Sequence, residues 1–164
     1  YSGSFSSIQL PVLTAGLVWD DSQLKVNGTI TVITQLQAWR KANFGSTADA
    51  GNSANAADPD GDGIANLMEY ALGLNPNVSA GMAGKIVVDE ATGHLRLSAT
   101  RDPSAVGITL IVEVSGNMVD WDFAEGIDIV TEVDTPSLLV VRDLTGDGTA
   151  DRRFIRIRVV ADPG

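Results

Sequence analysis

Phe154-Ile155-Arg156-Ile157-Arg158-Val159-Val160 is the stretch on which the fold turns. In an extended chain, successive side chains point to opposite faces. Arg156 and Arg158 therefore share one face, while Ile155, Ile157 and Val159 share the other. Working back from it, five further β-rich runs appear, at Lys85–Val88, His94–Ser98, Ile108–Val114, Ile127–Val133 and Leu138–Val141, each bounded by turn residues. Short strands at this spacing predict an antiparallel β-sandwich over residues 84–164. No internal repeat interrupts the pattern.

Upstream of the Gly-rich stretch Ser79–Gly84 the pattern is different. Thr34 stands before Gln35-Leu36-Gln37-Ala38-Trp39-Arg40-Lys41-Ala42-Asn43-Phe44, where Leu36, Trp39 and Phe44 share a helical face and Gly45 is the stop. A second short helix is predicted over Asn66–Leu72, ended by Gly73 with Pro76 beyond. Between the helices, Ser46–Ala57 is almost wholly small and polar, which predicts a surface loop. Residues 34–78 thus read as a helix–loop–helix insertion. In residues 1–33, the apolar positions Ile8, Leu10, Val12 and Leu13, then Leu24, Val26, Thr29, Ile30 and Val32 around Asn27-Gly28, predict strands and a turn.

Composition narrows the function classes. The 164 residues can bury a sizeable core without staples. There is no cysteine, so disulfides, thiolate metal sites and a cysteine nucleophile are excluded. Asp and Glu number 21 against 11 Lys and Arg, for a formal charge of −10. That balance repels nucleic acid and anionic lipid and suits cations. No apolar run reaches the roughly 18 residues a membrane-spanning helix needs. The chain starts at Tyr1 rather than Met, which reads as a processed product or a fragment of a longer precursor.

The loop Asp58-Pro59-Asp60-Gly61-Asp62-Gly63-Ile64-Ala65-Asn66-Leu67-Met68-Glu69 carries the chemistry. Calcium is a hard ion that takes six to eight oxygens, and the twelve-position loop that binds it places acids at positions one, three, five and twelve. Asp58, Asp60, Asp62 and Glu69 fill those positions. Gly63 is at the sharp turn, Ile64 would offer its carbonyl, Asn66 would bind directly or through water, and Glu69 would close the shell with both oxygens. No helix runs directly into Asp58, and position eight is Ala65 rather than a large aliphatic. The loop is therefore closer to the solitary loops of dockerins and thrombospondin type 3 repeats than to paired sensor hands, which favours a structural role over a switch.

The order of LQAWRKANFG, a polar spacer and DPDGDGIANLMEYALGLNP resembles the C-terminal region of large secreted proteins of Verrucomicrobia and related bacteria, many of which carry autotransporter-associated β-strand repeats. LPVLTAGLVWDDSQLKVNGTITV resembles the segment that ends those repeats. LIVEVSGNMVDW resembles the strand–turn–Trp element, and DRRFIRIRVV resembles the closing strand. The resemblance implies a secreted, cell-surface setting, with Asp58, Asp60, Asp62 and Glu69 matching the acidic loop. It names no ligand.

A second acidic stretch, Asp143-Leu144-Thr145-Gly146-Asp147-Gly148-Thr149-Ala150-Asp151, offers oxygens from Asp143, Thr145, Asp147 and Asp151. Phe154 stands where the closing glutamate would be, so the plainer reading is a hairpin connection. Trp39 belongs to the apolar helix face. Trp19 and Trp121 lie beside Asp residues and are the candidates for stacking on a sugar ring. His94, the single histidine, lies in a strand-like run. No nucleophile–base pair, phosphate loop or zinc ligand set is present, so the expectation is a non-catalytic module. Three roles are open to such a module. It is a calcium-binding structural or anchoring unit contacting other surface domains, a filament subunit joined by β-strand pairing, or a carbohydrate-binding unit of a polysaccharide-acting protein.

Overall fold

The computed structural model describes residues 7–82, 84–90, 92–145 and 152–162. The chain is mainly β and its strand pairs are antiparallel. A short hairpin comes first, from β1 (Leu17–Asp20) and β2 (Thr31–Thr34), with the helical turn α1 (Leu24–Asn27) between them. Helix α2 (Gln35–Phe44) and helix α3 (Asn66–Leu72) follow. The remaining strands are β3 (Lys85–Val88), β4 (Leu95–Thr100), β5 (Ile108–Ser115), β6 (Ile129–Thr135), β7 (Leu138–Asp143) and β8 (Phe154–Ala161). They form a four-stranded sheet in the order β3-β4-β7-β6 and a two-stranded sheet of β5 and β8.

One apolar cluster joins the two sheets. Leu97 and Ala99 of β4, Leu139 and Val141 of β7 and Ile129 of β6 meet Val112 and Val114 of β5 and Ile155 of β8. Ala71 and Leu72 of α3 belong to the same cluster. Burial of each such aliphatic side chain stabilises by about 1.5–3 kcal/mol, so the register of every strand that contributes one is strongly specified. The β8 alternation sends Ile155 inward and leaves Arg156 and Arg158 outward. In the pairing of β5 with β8, Glu113 stands opposite Arg156. Its carboxylate accepts from Arg156 Nε at 2.8 Å and Arg158 Nε at 2.9 Å.

The four-stranded sheet carries a similar triad on its outward side. The register of β6 against β7 slips between Thr131 and Val133, making Glu132 the extra residue of a β-bulge. Bulges re-aim side chains, and Glu132 accepts from Arg142 Nε at 2.9 Å and from Arg96 Nε at 2.5 Å.

The helices match their sequence signals. Thr34 and Gln37 form a reciprocal capping box at the start of α2, and Gly45 ends it at φ 73°. Trp39 packs edge-on against Phe44 and against Tyr70 of α3, with centroids 5.9 and 5.6 Å apart. Tyr70 is in turn held by Val106, its hydroxyl donating to the carbonyl and accepting from the amide, both at 3.0 Å. These contacts fasten α2 to α3, and α3 to the loop ahead of β5.

The first 33 residues depart from expectation. Leu24 and Val26 are not in a strand. They lie in α1, which Gly28 terminates at φ 81°. Val26 is 75% exposed, so no core demands an extended backbone there, and the turn satisfies its own amides through Asp21 and Gln23 carbonyls. Ile8–Leu13 has no strand partner among the described residues. No helix among the described residues is long and apolar enough to cross a membrane.

Candidate metal centre

Two backbone bonds close the base of the acidic loop. The Asn66 amide donates to the Ala57 carbonyl at 2.9 Å, and the Leu67 amide donates to Asn55 at 3.1 Å. Within this bracket the loop turns on its own aspartates. Asp58 accepts from the amides of Gly61 and Gly63 at 2.9 Å, Asp60 from Asp62 at 3.2 Å, and Asp62 from Ile64 at 2.8 Å. Gly63 sits at φ 89°, a left-handed conformation that favours glycine. The Ile64 side chain is buried and anchors the middle of the loop. Downstream, the Ala80 amide donates to Asp62 Oδ2 at 2.8 Å, tying the chain beyond α3 back to the loop.

This wrapping gathers oxygens. One carboxylate oxygen each from Asp58, Asp60 and Asp62 lies within 4.8 Å of the others, about the separation of two ligands on opposite sides of an ion held at 2.3–2.6 Å. Glu69 stands in the first turn of α3, after the loop. It is fully buried, and neither Oε1 nor Oε2 has a hydrogen-bond partner among the described residues. Burial pushes its carboxyl up to about 7, and the negative charges of Asp60, Asp62 and Asp58 push the same way. The Asp60 Oδ2 and Asn66 Oδ1 atoms are likewise buried and unpartnered, whereas Asn66 Nδ2 donates to the Asn52 and Ala54 carbonyls at 2.8 and 2.7 Å.

A buried ionised carboxylate with no donor is costly. Here the nearest charges are also negative, so the group either takes up a proton or faces a cation. The oxygens that the loop brings together, one each from Asp58, Asp60 and Asp62, are hard donors of the kind that a divalent cation such as calcium takes.

The polar loop before Asp58 is more organised than its composition suggests. Arg40 of α2 is buried, donates to Asn55 Oδ1 at 2.6 Å and pairs with Asp49 at 3.5 Å. The buried Ser53 hydroxyl bonds to Ala48 and Ala50. An arginine in an otherwise apolar helical face was the available clue.

The second acidic stretch differs. Asp143 is fully buried at the end of β7, and both of its oxygens accept from Arg153, at 2.8 and 2.9 Å, with Thr145 adding its amide and hydroxyl. Burial raises this carboxyl, but the bonds from Arg153 and Thr145 outweigh it and hold it below the ordinary range. Asp147 and Asp151 lie outside the described residues. Trp121 has the Arg156 guanidinium 3.8 Å over one ring face and donates to Met118 O. Trp19 is half-buried and donates to Pro11 O at 2.9 Å.

Compared with known protein families, curated proteins and solved structures, the chain finds no match.

Proposed function

We propose that this chain is a non-catalytic, calcium-stabilised module of a secreted bacterial surface protein, with a structural, anchoring or assembly role. In this reading the two sheets are the layers of a β-sandwich, and α2, the acidic loop and α3 form a helix–calcium loop–helix insertion against it. Asp58, Asp60, Asp62 and Glu69 supply carboxylate oxygens, Ile64 its carbonyl, and Asn66 its amide oxygen. The observation that carries the reading is Glu69, a fully buried carboxylate with no donor among the described residues, in the negative field of Asp60, Asp62 and Asp58.

Its position also supports a structural role. α3 is seven residues long, too short to hold by itself. The same helix carries Glu69 toward the acidic loop and Ala71 and Leu72 into the core between the sheets. An ion bound at Glu69 therefore stabilises the helix and, through it, the packing of the sheets.

Thermal melting with calcium and with excess chelator tests this. At a calcium concentration a hundredfold above Kd, linkage contributes about 2.7 kcal/mol, a rise of roughly 5–10 °C for a chain of this size. Asp60→Ala is expected to abolish the rise. Identical melting with and without calcium would remove the proposal.

A further inference from the structure

The free flank of β5 is an opening onto the core. β5 pairs along its whole length with β8, but on its other side the one ladder contact among the described residues is the bridge between Val114 and Asp122. From Ile108 to Val112 that edge has no described strand beside it. Beside the edge lie two hollows of about 360 and 250 Å³, which share Arg101 and Leu110, and the smaller one separates β5 from the four-stranded sheet. Leu110, Ile111 and Val112 all line the smaller one. Consecutive residues of a strand point to opposite faces, so the hollow abuts the strand's edge and not merely one face. Ile129, Leu139 and Val141, all members of the core cluster, form its far wall. The groove has what an added strand needs, a row of backbone groups to pair with and an apolar floor to fill.

The chain carries a segment of matching character. Ile8, Leu10 and Val12 recur with a period of two, are 41%, 37% and 100% exposed, and belong to no strand. Ile8–Val12 would extend about 16 Å, the same reach as Ile108–Val112. In an extended chain the backbone groups of Ile8, Leu10 and Val12 point to one side, and those of Gln9 and Pro11 to the other. Pro11, which has no N–H, would thus face away from β5 and cap the new edge against further growth.

We infer that Ile8–Val12 of one copy inserts beside β5 of a second copy, completing a three-stranded sheet across the interface. In its own chain the segment is turned back but left exposed. Leu17 N donates to Thr14 O at 3.2 Å, and Trp19 Nε1 holds the Pro11 carbonyl, so the segment doubles back along β1. Donor and groove are different surfaces of one chain, so the contact is heterologous and propagates as a head-to-tail filament unless the rotation closes a ring. None of the groove residues belongs to the acidic loop, so this inference and the calcium reading fail separately.

The test is size-exclusion chromatography with light scattering on the full chain at saturating calcium, from low micromolar to near-millimolar concentration. Mass is expected to rise with concentration, and Leu10→Asp is expected to remain monomeric with unchanged melting, because Leu10 is exposed. The natural chain has no cysteine. Leu10→Cys mixed with Thr109→Cys or Ile111→Cys is therefore expected to give disulfide-linked dimers under oxidation. A monomer at every concentration, assembly that survives Leu10→Asp, or failure of the Leu10→Cys chain to crosslink with either the Thr109→Cys or the Ile111→Cys chain would overturn it.

Discussion

Glu69 and Glu113 are both buried carboxylates on elements that feed the same core, yet their surroundings are opposite. Glu113 lies between Arg156 and Arg158. Burial raises its carboxyl, but the bonds from Arg158 and Arg156 prevail and hold it below the ordinary range. Glu69 has no donor among the described residues, and the charges that act on it are those of Asp60, Asp62 and Asp58. The contrast shows how a chain with excess negative charge manages the acids it buries. Where the strand register delivers an arginine, the charge is balanced internally and the residue is architectural. Where the sequence delivers only more acids, the balance has to come from solution, as a proton or a metal ion.

The two sites can be set against each other by mutation. Glu113→Ala leaves Arg156 and Arg158 side by side without their counter-ion and is expected to cost about 2–3 kcal/mol, below the range for a fully buried pair because both arginines are partly exposed. A loss that calcium neither deepens nor repairs, read from denaturant midpoints with and without the ion, would fit. Glu69→Gln should have the reverse sign in chelator. Removing an unbalanced buried charge is expected to raise calcium-free stability by about 1 kcal/mol while abolishing the calcium-dependent rise. Destabilisation in chelator would show that the carboxylate has a partner in the folded chain.

A smaller effect separates the sites by pH. The folded-state pKa of Glu69 is raised from 4.5 to about 7. Its contribution to the calcium-free protein is therefore fully present below about 4.5 and is lost as pH rises through about 7. Glu113, Glu132 and Asp143 are lowered, so theirs are present above the ordinary carboxylate range and lost as pH falls below it. Between these limits, calcium-free melting temperature should decline with rising pH, the decline should vanish in Glu69→Gln, and calcium affinity should increase toward pH 7. The smallest effect is one of count. Because both Asp143 oxygens are taken by Arg153, calorimetric titration is expected to give one calcium per chain. A second equivalent lost in Asp143→Asn would move Asp143 into the class of Glu69.

Much of the fold was legible because its signals are local. The β8 alternation, Thr34 and Gly45 around α2, and Gly73 after α3 each carry their own physics within a few residues. Leu24 and Val26 read as extended because period two over so short a run does not distinguish a strand from a helical turn, and no buried face decides between them. The acidic loop was legible as a pattern of oxygens. Its coupling to the core was not, since the packing of Ala71 and Leu72 against β8 joins residues far apart in the chain. The Arg40–Asn55 contact and the Glu132 bulge were hidden for the same reason.

The brevity of α3 has a consequence for how this chain can vary. Glu69 and Leu72 are three residues apart on a helix that turns about 100° per residue. One residue inserted or deleted between them would swing the Glu69 carboxylate through more than a quarter of a turn relative to the side chains that anchor the helix. The loop and the sheets are thus locked in phase by a two-turn helix. Length changes are tolerable beyond Ala80, and not between position 69 and position 72.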